Sequence, residues 1–276
     1  MSSRRPFRSS RRLGQNFLVD PNIARNIVDL AHLSGPNAHV LEIGSGFGSL
    51  TTRLLDHPAK PFVRAVEVDH RLAADLEESL ADQPRFTLLR ADILSLSADQ
   101  AFEGADRWTV VTNAPYSISG ALLRWLMNSA ESIERAVVML QSEVVERIQA
   151  SPGTKDYGVL GVAISYYFRV DKRMNVSPSC FRPRPRVGSS VISLVPHPEP
   201  PIDVKDVDLF MQVLKRAFGQ RRKTLRNALG SGATDLPGGP EALVRAFEIT
   251  GIDPGLRAER LTLEDFGHLA DALSAP

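Results

Sequence analysis

The stretch Ala38-His39-Val40-Leu41-Glu42-Ile43-Gly44-Ser45-Gly46-Phe47-Gly48-Ser49-Leu50-Thr51 runs from a short apolar segment directly into three glycines and the opening of a helix. A strand that turns through glycines into a helix is the βα unit of a doubly wound α/β sheet. The glycines admit positive φ angles and let a ligand approach the exposed amides at the helix N-terminus. A dinucleotide fingerprint would require glycine at position 49, where Ser49 stands, so NAD is disfavoured. Taken alone, the turn is a weak signal, and the plainer reading is a structural connection without a ligand.

Working outward, Phe62–Asp69 reads as the second strand. It ends in acids about twenty residues beyond the glycines, where a carboxylate holds ribose hydroxyls. Glu67 is the expected ribose ligand, and Asp69 the cap of a helix from Arg71 to Leu80. Phe86–Asp92 is a third strand, and Asp92 suits either an adenine amino group or a helix cap. Trp108–Thr112 is a fourth, followed by Asn113-Ala114-Pro115-Tyr116. Pro115 ends sheet pairing and pushes Ala114 into an extended conformation. The Ala114 carbonyl and the Asn113 side-chain oxygen then converge as acceptors for an exocyclic base amine, with the Tyr116 ring placed to stack on the base. The plainer reading is an Asx turn with a packed tyrosine. Three consecutive strand ends thus carry ligand-competent groups on the edge where open α/β sheets bind ligands.

Before the first strand, Asp20-Pro21 starts a helix running to about Leu33. Gly14-Gln15-Asn16-Phe17-Leu18 ahead of it reads as a packed lead-in or as a lid. After the fourth strand come a helix at Ala121–Met127, a strand at Ala136–Gln141 and a helix at Ser142–Gln149. A polar loop at 151–158 follows, then strands at Val159–Val170 and Val187–Val195. Between the last two, Phe181-Arg182-Pro183-Arg184-Pro185-Arg186-Val187 is stiff and basic. It suits phosphates with Phe181 as an accompanying ring, or serves as a proline-rich connector. Pro196–Pro201 is the clearest linker. Beyond it a helix pair spans Val204–Leu229, with further helices near Pro240–Phe247 and Thr262–Leu273. Six basic side chains lie between Lys215 and Arg226, among them Arg221, Arg222, Lys223 and Arg226, a density that points to RNA contact.

At 276 residues, the chain has length for one large domain and a smaller one. A hydrophobic content of 43% and a charged content of 24% are those of a globular protein, and no run approaches a membrane span. One cysteine, Cys180, excludes an intrachain disulfide and a cysteine-cluster metal site; no metal is expected. Net charge is only +1, but five arginines fall within the first twelve residues. That N-terminus lacks the apolar stretch of a secretory signal and reads as a basic arm. The expected organisation is an arm at 1–12, a nucleotide-ligand domain at 13–196 and a helical RNA-binding domain at 202–276. The expected protein is cytoplasmic, membrane-free and monomeric.

Gly14-Gln15-Asn16-Phe17-Leu18, Glu42-Ile43-Gly44-Ser45-Gly46, Glu67, Asn113-Ala114-Pro115-Tyr116, the Phe181–Val187 stretch with Ser189, and Gln220–Arg226 occur in an order that resembles the ribosomal RNA adenine dimethyltransferases over nearly the whole chain. Lys155–Gly158 and Leu256–Glu259 resemble the kasugamycin-sensitivity type, acting on small-subunit rRNA. The macrolide-resistance type, acting on large-subunit rRNA, is the nearest alternative, and a non-catalytic RNA-binding or ribosome-assembly factor on the same fold is another. The resemblance implies a Rossmann-like methyltransferase sheet with a small C-terminal helical domain. It also implies S-adenosylmethionine as methyl donor and two adjacent adenosines of an rRNA hairpin, in a small-subunit precursor, as targets. By the same resemblance Asn16, Leu18, Gly44, Gly46, Glu67, Asp92 and Asn113 serve the cofactor, and Asn113, Ala114, Pro115, Tyr116 and Phe181 serve catalysis. Arg182, Arg184, Arg186, Arg221, Arg222, Lys223 and Arg226 serve RNA binding. Ala114 departs from the larger Leu or Ile usual in that motif.

Overall fold

The computed structural model describes residues 14–35 and 38–274; the basic arm expected at 1–12 lies outside them. Contacts divide the chain into two compact units. One comprises the residues up to Val145 together with Arg169–Pro196; the other comprises Glu146–Phe168 and His197 onward. The sequence had suggested a single stretch, 13–196, for the first of these, whereas residues 146–168 group with the C-terminal helices.

The first unit is built on parallel strands β2 (His39–Ile43), β3 (Phe62–Val66), β4 (Phe86–Leu89), β5 (Trp108–Asn113) and β6 (Ile133–Gln141), with β7 (Phe168–Val176) and β9 (Ser189–Pro196) completing the sheet. Its order is β4-β3-β2-β5-β6-β9-β7. β2 pairs in parallel with both β3 and β5, and β9 runs antiparallel to β6. Helices α1 (Pro21–Asp29), α2 (Thr51–Leu55), α3 (His70–Ser79), α4 (Ala98–Ala101) and α5 (Ser119–Asn128) connect the strands. Four of the five β2 residues and the first five residues of β5 are buried, as central parallel strands covered on both faces require. The Asp20 carboxylate accepts from the amides of Asn22 and Ile23, with Pro21 in the first turn of α1.

A separate two-stranded sheet pairs β1 (Phe17–Leu18) with β8 (Phe181–Arg182), Phe17 against Arg182 and Leu18 against Phe181. Phe181 is fully buried. It belongs to the core formed by Leu18, Ile27, Val111, Val137, Met139 and Val191. The ring expected on the stiff basic stretch as a partner in catalysis lies in the core instead: pairing with β1 draws it inward, and the loop proper begins at Pro183.

The second unit is helical: α7 (Val159–Tyr167), α8 (Val207–Gly219), α9 (Leu225–Gly230), α10 (Gly239–Thr250) and α11 (Leu263–Ser274), with α6 (Ser142–Ile148) leading into it. Val159–Val170, expected as a strand, is helix α7 to Tyr167. An apolar run of this length has no period that separates a buried strand from a buried helix. Packing decides it, because a Cβ at Gly161 would meet the carbonyl oxygens of Arg147 and Ile148 at 2.9 and 3.0 Å, so the α7 backbone sits directly on the end of α6. The helix pair expected over Val204–Leu229 is present as α8 and α9, and the basic residues Arg221–Lys223 lie between them. α8 stops at Gly219, Arg221–Lys223 form a turn, and α9 begins at Leu225.

Candidate active site

Strand order reverses between β2 and β5, since the chain builds outward through β3 and β4 and then returns to the other side of β2. Ligands of open α/β sheets bind at the carboxyl ends of the strands flanking such a reversal. Here Ile43 lies against Thr112, which sets Gly44 beside Asn113, and the Thr112 hydroxyl donates to the Ile43 carbonyl at 2.8 Å. Gly44 has φ +75°, a conformation in which any side chain is strained.

A cleft enclosing about 690 Å³, its open mouth included, occupies this position. Its walls come from Gly14–Phe17, from Ile43, Gly44 and Gly46 after β2, from Val66–Val68 after β3, from Ala91–Ile93 after β4, and from Asn113–Tyr116 after β5. Asn16, Gly44, Gly46, Glu67, Asp92, Asn113, Ala114, Pro115 and Tyr116, each singled out from the sequence, are thereby brought together. Leu18 and Phe181 are not among the lining residues; both are core side chains, 4% and 0% exposed. The lining also holds Gln15, Phe17, Val68, Ile93 and Ile118. A signal for two of these was available: Val68 and Ile93 directly follow the acids at the ends of β3 and the β4 segment, where apolar walls for a purine belong. Val68 is 42% exposed, although it is a large aliphatic residue.

Glu67 ties two turns together. One carboxylate oxygen accepts from the Gly46 amide at 2.8 Å and the other from the Asp69 amide at 2.9 Å, each keeping a lone pair for a hydroxyl. Burial raises its pKa, against the lowering effect of those amides. Asp69 caps α3 as expected. Its pKa is held at about 2, chiefly by hydrogen bonds from Arg71, and Gln15 Nε2 also donates to it at 3.1 Å. Asp92 caps the short turn Ile93–Ser95, accepting from the Leu94 amide at 3.0 Å, while lining the cleft. The cap reading is met.

Asn113 Nδ2 donates to the Asn16 carbonyl at 3.2 Å. The donor end of the amide is thus committed, which leaves Oδ1 as the acceptor. Tyr116 is half-buried, its hydroxyl 2.7 Å from Ser189 Oγ, and burial raises its pKa. Behind the cleft Glu42 is 1% exposed and has an unpartnered oxygen. Burial, with repulsion from Glu67 adding to it, pushes its pKa to about 8 despite the nearby Thr51.

In the first unit Arg182, at the end of β8, and Arg184 and Arg186, on the segment joining β8 to β9, are exposed, and Arg182 also donates to the Ser179 and Phe181 carbonyls. In the second unit Arg221, Arg222, Lys223 and Arg226 are exposed. Arg221 is anchored, donating to the Lys155 carbonyl and, at 3.4 Å, to that of Tyr157, with Glu259 at 3.9 Å.

Comparison with known proteins agrees with this geometry. The family model described as ribosomal RNA adenine dimethylase matches residues 7–274. The ribosomal RNA small subunit methyltransferase A of Geobacter metallireducens is 41% identical over 270 residues, covering 97% of this chain and 96% of that protein. Its namesake in Bacillus cytotoxicus is 41% identical over 272 residues, covering 97% and 92%. Among solved structures, a dimethyladenosine transferase from Plasmodium falciparum is similar in fold with a TM-score of 0.78 at 24% identity, covering 91% of this chain and 95% of that one. The 23S rRNA methyltransferase ErmE gives a TM-score of 0.68 at 25% identity, covering 94% and 100%.

Proposed function

Because this chain belongs to the ribosomal RNA adenine dimethylase family, we propose that it converts two adjacent adenosines of a small-subunit rRNA hairpin to N6,N6-dimethyladenosine, acting as a monomer on a precursor subunit in the cytoplasm. The observation that carries the reading is the Asn113 amide. With its nitrogen held by Asn16, it offers an acceptor at the strand reversal, beside the glycine turn that admits a cofactor.

The cleft fits S-adenosylmethionine in its chemistry. Glu67 retains acceptor capacity for ribose hydroxyls, Asp92 for the adenine amine, Val68 and Ile93 provide apolar walls, and Gly44 leaves room for the backbone to approach the methionine portion. When bound, that cofactor supplies an electrophilic methyl group. The protein's own task is to prepare the target nitrogen. An adenine N6 lone pair is delocalised into the purine, and acceptors at Asn113 Oδ1 and the Ala114 carbonyl favour the pyramidal amine whose lone pair is free to attack. No strong base is required. Tyr116 stacks on the extruded base, and the small Ala114 side chain leaves space for the monomethylated amine of the second transfer.

The exposed basic residues of each unit supply phosphate contacts. Arg182, Arg184 and Arg186 do so in the first unit, and Arg222, Lys223 and Arg226 in the second. No helix among the described residues is long and apolar enough to cross a membrane. The test is tritium methyl transfer to ribosomal subunits from cells lacking the enzyme, followed by mass mapping. Dimethylation of paired adenosines in small-subunit rRNA is expected. Modification of large-subunit rRNA, or none, overturns the reading.

A further inference from the structure

Tyr116 is held from a strand remote in sequence. Its ring projects from a short 3-10 turn, Tyr116–Ile118, that has no side-chain cap, and its hydroxyl meets Ser189 Oγ at 2.7 Å. Ser189 opens β9 and is 1% exposed. Its support is rigid on both sides. Ser189 pairs with Gln141 of β6, and the Ser142 amide donates to the neighbouring Gly188 carbonyl at 3.0 Å. Ser190 is fixed in turn by Ser142 Oγ at 3.0 Å and Asn175 Oδ1 at 2.9 Å.

A tyrosine in a turn has two side-chain torsions. The hydroxyl oxygen lies on the axis of the second, so a fixed partner there restrains the first and sets where the ring lies, as a stacking surface requires before the base arrives. We propose that Ser189 is a positioning residue, whose hydroxyl fixes where in the cleft the Tyr116 ring, on which the target adenine stacks, is held. This rests on Tyr116 being the stacking surface of the proposed methyl transfer. Both hydroxyls carry their protons at neutral pH, so either can donate to the other.

The experiment compares Ser189→Ala, Tyr116→Phe, the double variant and Ser189→Thr in single-turnover methyl transfer to undermethylated small subunits. One lost side-chain hydrogen bond of this kind corresponds to roughly a threefold to tenfold fall in rate. That fall is expected for Ser189→Ala and for Tyr116→Phe, with the double variant no slower than the slower single one. Ser189→Thr, which keeps the hydroxyl, should recover most of the rate. Wild-type rates in both single variants, or losses that multiply in the double variant, overturn the proposal. If Ser189→Ala fails to fold, Tyr116→Phe removes the same bond without touching β9, and a normal rate there overturns it alone. If the wild-type protein itself transfers no methyl group, the functional reading fails instead.

Discussion

The Asn113 amide has one end committed to Asn16, which defines what its loss should do. Asn113→Ala removes the proposed acceptor for the target amine, and losing one polar contact of that type costs ~2.7–4 kcal/mol of transition-state stabilisation, on the order of a hundred- to thousandfold in rate. Cofactor affinity should change far less; calorimetry beside a methyl-transfer assay separates the two, and near-normal turnover would sink the assignment. Glu42 is the other residue with a sharp expectation. Its carboxyl ionises near the usual 4.5 in the unfolded chain but only near 8 in the fold. Between those values the native state holds the extra proton, so the contribution of Glu42 to stability falls as pH rises through the window. Glu67, also raised by burial, acts in the same direction. Glu42→Gln removes the Glu42 share. Relative to wild type the variant should therefore gain stability from pH 5 to pH 8, by on the order of 2–5 kcal/mol at the upper end. A constant difference in melting temperature across that range would contradict the assignment of Glu42 as the titrating group. Neither the raised pKa nor the Asn16 contact was legible in the sequence, because both depend on what the folded turn places around a side chain.

Among the elements, the β1–β8 pair reassigns a residue from chemistry to architecture. Phe181→Ala should cost ~3–5 kcal/mol of stability, as removal of a buried ring does, and any loss of methyl transfer should follow the unfolded fraction. A normal melting curve with slow transfer would restore the ring to the site. The basic turn between α8 and α9 yields a different expectation. Arg222, Lys223 and Arg226 replaced together by Ala should weaken RNA binding and lower the slope of log affinity against log salt by roughly 0.7–0.9 per lost phosphate contact. The anchored Arg221 is left in place, because its bonds to the Lys155 and Tyr157 carbonyls make it part of the fold. Unchanged affinity and slope would reduce the cluster to charged surface. Element type was readable where burial on both faces gave a continuous apolar run bounded by turn residues, as at β2, β3 and β5. It failed at Val159–Tyr167, where a helix apolar on nearly all sides has no polar face to reveal its period.

For the whole molecule, the glycine turn and the three acid- or amide-bearing strand ends sufficed to place the site, since parallel strands deliver their carboxyl ends to one edge whatever the loops do. What they could not place was anything arriving from far along the chain: Phe181 in the core, Ser189 behind Tyr116, or residues 146–168 among the C-terminal helices. The cleft depends on such a distant arrival, because Gly14–Phe17 form one of its walls and β1 has β8 as its strand partner. A chain ending at Ser177, before β8, should therefore show no measurable cofactor binding, even if its central strands assemble; binding at full affinity would show that the wall stands unaided. The same dependence sets a schedule on biosynthesis. At ~5–20 residues per second, roughly 8–33 s separate the emergence of Leu18 from that of Phe181. In the later part of that interval the nascent chain carries the glycine turn and its acids without the strand that pairs with β1. The chain thus acquires the partner of β1, and with it the wall of the cleft, only in the last third of its synthesis.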